Sequence, residues 1–300
     1  MSKKDEILKC ILDEMLTEEI LEKLNITDEQ LKKYTWKLKR DGHHLVRLFN
    51  YDGSQRYAIQ KSPSYLTHIL DVPENGIFRA LGVSDYHIGS RKENLKYINM
   101  VYNFAKQNDI HIIFNCGDLI EGMMNYSYHD SYYEQISHLL DEHPFDDRIL
   151  NFIVLGNHDE DLIKNTGLDF HTILNKQRND LISLGYGIQK IGVGHEEIIL
   201  CHRVHKVKNL YAKLILSGHG HKTKFISYGK SVTLCLPTVS NDVKQGFPAG
   251  FMDISLTMKE GFFDKGKFIQ YVFMKNQIMP ASENVHNFDP ETSQKRLILK

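Results

Sequence analysis

Over the first forty positions apolar residues recur every three to four places: Ile7, Ile11 and Leu12, then Ile20, Leu21 and Leu24, then Leu31, Tyr34 and Leu38. That spacing predicts three short helices, over about 4–15, 17–24 and 27–41. Thr27, with Gln30 three residues on, forms a capping box at the start of the third, and Gly42 ends it. "LVRLFN" and "QRYAIQ" then flank Asp52-Gly53, a hairpin signal. From residue 77 the period changes. Short apolar runs typical of buried strands appear at 77–85, 110–118 and 149–159, separated by helical patterns. One helix opens at a Ser90-x-x-Glu93 box and carries Leu95, Ile98, Val101, Tyr102 and Ala105; another covers about 170–184. "GIQKIG" and "EEIILCH" read as paired strands, "AKLILSGHGH" as the end of a further one, and the remainder as strand-rich. Alternation followed by antiparallel strands predicts a layered α/β sandwich, 77–300, preceded by a linker, 63–76, and a small domain, 1–62.

Charge alters the picture of that small domain. Three helices and a hairpin resemble a winged helix-turn-helix. Residues 1–30 carry four lysines against nine acids, whereas residues 31–62 carry Lys32, Lys33, Lys37, Lys39, Arg40, Arg47, Arg56 and Lys61 against Asp41 and Asp52. A basic third helix and wing suit DNA or RNA contact; the other reading is a protein-binding module with solvated lysines. The whole chain has net charge -1 and gives no global case for nucleic acid or membrane. Four cysteines without a CxxC pair, an opening segment without a hydrophobic signal core, and no membrane-length apolar stretch point to a reduced, cytoplasmic protein.

Polar residues gather where the apolar runs stop. Asp85-Tyr86-His87 follows the first, Gly117-Asp118 the second and Gly156-Asn157-His158-Asp159 the third. His202 and Gly218-His219-Gly220-His221 end two later ones. Strand ends are where loops converge on a rigid frame. Burying so many titratable groups without a partner costs several kcal/mol apiece, and a metal cluster supplies the partner.

The order Asp-x-His, Gly-Asp, Gly-Asn-His-Asp, His, Gly-His-x-His resembles the calcineurin-like metallophosphoesterase superfamily, over about residues 77–275. The resemblance implies a hydrolase acting on a phosphodiester, with nucleic acid as the first substrate reading, through a hydroxide bridging two divalent metal ions. Asp85, His87 and His221 would hold one ion, Asn157, His202 and His219 the other, with Asp118 between them. His158 would stand beside the cluster as proton donor, with Asp159 orienting its ring. Mixed oxygen and imidazole ligands favour Mn²⁺, with Fe or Zn²⁺ as alternatives. Gly218 and Gly220 are expected to relieve crowding at the double-histidine turn.

Several alternatives stay open. His205 rivals His202 as ligand, and Arg203 either reaches a phosphate or points to solvent. Tyr126, Tyr128 and His129 either cap the site or pack on the domain. The substrate is a nucleic acid, or a nucleotide or other small phosphoester with the amino-terminal domain serving protein partners. A non-catalytic DNA- or protein-binding regulator is the third reading.

Overall fold

The computed structural model describes residues 2–50, 52–60, 66, 68–123, 126–129, 131–204 and 212–288. Three helices come first: α1 (Lys3–Leu12), α2 (Thr17–Leu24) and α3 (Asp28–Arg40). Thr27 and Gln30 exchange the two hydrogen bonds of the capping box, Oγ1 accepting at 3.3 Å and Oε1 at 3.0 Å. The hairpin β1 (Leu45–Phe49) and β2 (Gln55–Ile59) follows, turning at Asp52-Gly53, where Gly53 adopts φ +88°. Ile7, Ile11, Ile20, Leu31 and Leu38 bury a small core with Leu45 and Tyr57 of that hairpin.

The rest of the chain runs β3 (His68–Leu70), β4 (Ile77–Val83), α4 (Leu95–Gln107), β5 (Ile112–Asn115), α5 (Tyr132–Glu142), β6 (Leu150–Leu155), α6 (Asn157–Thr166), α7 (Phe170–Gln177), β7 (Leu181–Tyr186), β8 (Ile188–Val193), β9 (Glu196–Cys201), β10 (Leu214–Ser217), β11 (Lys224–Tyr228), β12 (Ser231–Cys235), β13 (Gly250–Lys259), β14 (Phe262–Met274) and β15 (Gln277–Asn287). Two sheets result. One has the order β15-β14-β13-β4-β5-β6-β7, with β4 to β7 parallel; the other runs β11-β12-β10-β9-β8-β3-β1-β2.

Period-two alternation puts the sheets face to face. In β6, Leu150, Phe152 and Val154 enter the inter-sheet core, while Ile153 and Leu155 point to a second core under α4, α5, α6 and α7. Because β6 is covered on both faces, its sequence is apolar apart from Asn151, as expected of a parallel sheet. In β9, Ile198 and Leu200 face inward and Ile199 and Cys201 outward. The architecture is a layered mixed α/β sandwich with a small helical unit at its amino-terminal end. All four cysteines are free thiols.

Three local expectations change. The segment read as a linker contains β3, which pairs in parallel with both β1 and β8 and so carries the amino-terminal hairpin onto the second sheet. Lys32 of α3 also donates to the carbonyl of Asn175 at the far side of this junction, 3.1 Å away. The helix read over 170–184 stops at Gln177, and Leu181–Tyr186 is β7, because Leu181 and Ile182 are buried beside β6. α4 is capped by Asn94, whose Oδ1 accepts from Tyr97 N, while Glu93 turns back to accept from Gly89 N at 2.7 Å.

Candidate functional site

The carboxyl ends of β4, β5 and β6 in one sheet and of β9 and β10 in the other open at one edge of the sandwich. Asp85 and His87 follow β4, Asp118 follows β5, Asn157 and His158 open α6 after β6, and His202, His219 and His221 follow β9 and β10. Side chains up to 136 positions apart thus meet at rigid strand ends (221 − 85 = 136).

Three overlapping groups of donor atoms form there, each within 4.8 Å: Asp85, His87 and His221; His87, Asp118 and His158; Asp118, His202 and His219. Asp118 belongs to two of them. His221 Nε2 lies 3.3 Å from Asp85 Oδ1 and 3.2 Å from His87 Nε2. His202 Nε2 lies 3.0 Å from Asp118 Oδ2 and 3.1 Å from His219 Nδ1. Ligands about 2.1 Å from a cation sit about 3.0–3.4 Å from one another at octahedral to tetrahedral angles. These four separations match those edges, and His87 Nε2 lies somewhat farther from Asp85 Oδ1, at 3.8 Å, so the residues present fit divalent cations.

The tautomers fit as well. His202 Nδ1 donates to the carbonyl of Cys116 (2.7 Å), and His221 Nδ1 to the carbonyl of Asp242 (2.5 Å). With each Nδ1 proton so engaged, the Nε2 lone pairs face the cluster, the arrangement metal-binding imidazoles adopt. Glu121 Oε2 stands 2.9 Å from His87 Nδ1, as a charge contact off the line of a hydrogen bond. Two buried oxygens, Asp85 Oδ1 and Asn157 Oδ1, have no hydrogen-bond partner among the described residues, although an isolated buried acceptor is costly. Asn157 and His202 line a common cavity of about 400 Å³, together with Lys164 and Arg203.

The backbone is strained at these positions. Asp85, His87, Asp118, His219 and His221 have φ of 57°, 49°, 55°, 68° and 50°, and they are half of the ten non-glycine residues with positive φ among the described residues. Each such residue costs on the order of 1–2 kcal/mol, and strain of this kind concentrates at functional sites. Glycines make room for it. A Cβ on Gly156 would meet Asp118 Oδ1, and one on Gly218 would meet Ser84 Oγ. Gly220, by contrast, has open space around it and an ordinary φ, so only Gly218 relieves crowding at the double-histidine turn.

Electrostatics follow from the packing of opposite charges. Burial raises the cost of the Asp118 carboxylate, but His202, with His87 and His158, holds it below the usual range. Asp85 is likewise held low against its burial, chiefly by His221. Against their own burial, His87 is pushed up to about 9 by Glu121 and Asp118, and His202 to about 9 by Asp118. His219, beside His202 and Arg203, is lowered to about 4 by burial and by those cations.

His158 stands beside the cluster, its Nε2 3.8 Å from Asp118 Oδ2 and its ring edge-on to His87 at 4.8 Å. Its ring is oriented by the Glu121 carbonyl, which accepts from Nδ1 at 2.6 Å. Asp159 does not do this. It is fully buried and accepts instead from the backbone N–H groups of Leu119 (2.9 Å), Ile120 (3.1 Å) and Gly156 (2.8 Å), tying the β5 and β6 loops together. Burial and Asp118 push its carboxyl above the usual range. Glu121 and Asp242 went unnoticed in the sequence because neither sits at the end of an apolar run, and both act on histidines partly through backbone carbonyls. His205 lies outside the described residues. Tyr128 donates to Glu93 at 2.7 Å and stacks near His129, packing on the domain rather than on the cluster.

Residues 78–226 match the profile of the calcineurin-like phosphoesterase family. No curated protein matches the sequence. Among solved structures, the chain is similar to vacuolar protein sorting 29 of Cryptosporidium parvum, at 13% identity over 70% of this chain and 98% of that one, TM-score 0.44. It is similar to a conserved uncharacterized protein of Streptococcus pneumoniae TIGR4, a predicted phosphoesterase, at 13% identity over 70% and 98%, TM-score 0.41. A novel archaeal phosphodiesterase is similar at 11% identity over 68% and 100%, TM-score 0.43. Five motifs in order, gathered at one sandwich edge and covered by the family match, carry one conclusion: residues 78–226 of this chain are a calcineurin-like phosphoesterase domain.

Proposed function

We propose that the cluster is a two-metal centre that hydrolyses a phosphodiester. The observation that carries this reading is that Asp118 groups with His87 on one side and with His202 and His219 on the other, while His202 and His221 turn their Nε2 lone pairs toward the cluster. Asp85, His87 and His221 would hold one cation and Asn157, His202 and His219 the other, with Asp118 available to each. Mn²⁺ suits this mixture of carboxylate, amide and imidazole, with Fe or Zn²⁺ next. When bound, such a pair neutralises phosphoryl oxygens and lowers the pKa of the attacking water.

The chain's own groups do the rest. Protonated His158 keeps Nδ1–H on the Glu121 carbonyl and delivers the Nε2 proton to the departing ester oxygen. The half-buried Arg203, whose Nε has no partner among the described residues, faces the same cavity as Asn157 and holds a non-bridging phosphoryl oxygen. Lys164 is already paired with Glu160 at 2.9 Å and Asp161 at 3.3 Å, so it closes the cavity wall rather than adding free charge.

The test is hydrolysis of bis-p-nitrophenyl phosphate against p-nitrophenyl phosphate in Mn²⁺, with single- and double-stranded DNA as parallel substrates. Diester cleavage abolished by chelation and restored by Mn²⁺ supports the reading. Monoester-only turnover, or activity indifferent to chelator, defeats it.

A further inference from the structure

A second cavity, of about 600 Å³, lies where the amino-terminal helical unit meets α7 and β7, away from the metal cluster. Its fifteen lining residues include Lys32, Lys39, Arg47, Lys176 and Arg178 and no acid at all, in a chain that carries 38 acids against 37 Lys and Arg. Two of these cations are neutralised from outside the cavity: Lys32 by Asp28 at 2.6 Å, Arg178 by Asp180 at 2.7 Å. Lys39, Arg47 and Lys176 make no ion pair with an acid among the described residues.

Arg47 is half-buried and held in place. Its guanidinium lies 5.0 Å from the Phe49 ring centroid and 5.9 Å from that of Tyr57, and one of its amines bonds Gln55 Oε1. Lys39, exposed as a whole residue, lines the same cavity, where burial and the neighbouring Arg47 depress its ammonium. Two cations converging with no counter-charge are unfavourable unless an anion joins them. Trp36, the only tryptophan, lines the same cavity at 59% exposure, with Arg40 5.2 Å over its ring. Cationic groups for a phosphate and a planar face for a ring meet in one hollow. Its size is that of a small-molecule site, roughly 300–1,000 Å³, and too confined for a duplex.

We propose that this junction cavity binds a mononucleotide, its phosphate on Arg47 and Lys39 and its base against Trp36. The site is independent of the hydrolytic reading: it shares no residue with the metal cluster, and either can fail alone.

Because Trp36 is the sole tryptophan, its fluorescence reports occupancy directly. The full chain is titrated with AMP, adenosine, ribose 5-phosphate and a twenty-nucleotide single strand, with phosphate release followed in parallel so that turnover is separated from binding. The expected result is saturable quenching by AMP, weakened at least about tenfold by Lys39→Ala and by Arg47→Ala. Adenosine and ribose 5-phosphate each bind more weakly than AMP. Circular dichroism checks folding, and Lys176→Ala, at an exposed position, provides a variant that leaves the Arg47 packing intact and weakens AMP less than Lys39→Ala does. Absence of saturable quenching, AMP affinity unchanged in Lys39→Ala, adenosine binding as well as AMP, or the oligonucleotide binding more than about tenfold tighter than AMP would each overturn the assignment.

Discussion

Replacing His158 by Asn separates proton donation from metal binding. The ring hydrogen-bonds to the site through Nδ1 on the Glu121 carbonyl and packs edge-on against His87, and its Nε2 stands 3.8 Å from Asp118, beyond hydrogen-bond reach. The backbone N–H of residue 158, which donates to Asp118 Oδ1 at 2.9 Å, survives the substitution. Metal content should therefore stay at the wild-type level. What is lost is the acid, typically about 10²–10⁴-fold in rate, or roughly 3–5 kcal/mol of barrier. The loss must depend on the leaving group. An alkyl phosphodiester departs as a strongly basic alkoxide and should suffer the full effect, whereas p-nitrophenolate leaves without protonation and should lose less than about tenfold. Steady-state kcat for both substrates, with metal measured by mass spectrometry on the same samples, gives the comparison. Equal losses on both esters would refute the role of His158, as would loss of metal.

Four other outcomes follow from the geometry. Asp159→Asn places an amide N–H₂ against a backbone donor, most directly Gly156 N, and should destabilise the fold by about 1–3 kcal/mol, read as a lower Tm, without depending on metal. Gly156→Ala drives a Cβ into Asp118 Oδ1 and should abolish metal retention, checked by equilibrium dialysis. Phe152→Ala, in the inter-sheet core, should cost about 3–5 kcal/mol in denaturant unfolding. His143 is fully buried and lowered to about 4 by burial and by Arg178, from an ordinary 6.5. It is neutral in both states above pH 6.5, but below that the unfolded chain takes up the proton first. Its share, roughly 3 kcal/mol, is present above pH 6.5 and is lost as pH falls from 6.5 to 4, so His143→Phe should flatten the stability profile in that window.

The fold was legible where a periodicity had a single interpretation. β6 is an apolar run bounded by Gly156, and both of its faces are buried, so sequence and structure coincide. Leu181–Leu184 was not legible: four residues are too few to separate a strand from a helical turn, and the pairing with β6 decides it. α6 was missed because its first turn carries the Asn157, His158 and Asp159 cluster instead of an apolar stripe. Gly-Asp and Gly-His-x-His were visible because glycine marks where backbone must pass close to a side chain. The acceptors behind the histidines were invisible, since any residue supplies a carbonyl. The basic residues of 31–62 were visible as charge, but only β3 pairing with β8 and α3 meeting α7 turn several of them toward one cavity.

The most direct measurement is metal stoichiometry. Wild-type protein and Asp118→Asn are loaded with Mn²⁺, dialysed side by side and counted by mass spectrometry. A carboxylate shared by two cations predicts two ions per wild-type chain and fewer than one in the variant. One ion or none in the wild type, or two in both proteins, would contradict the two-metal centre.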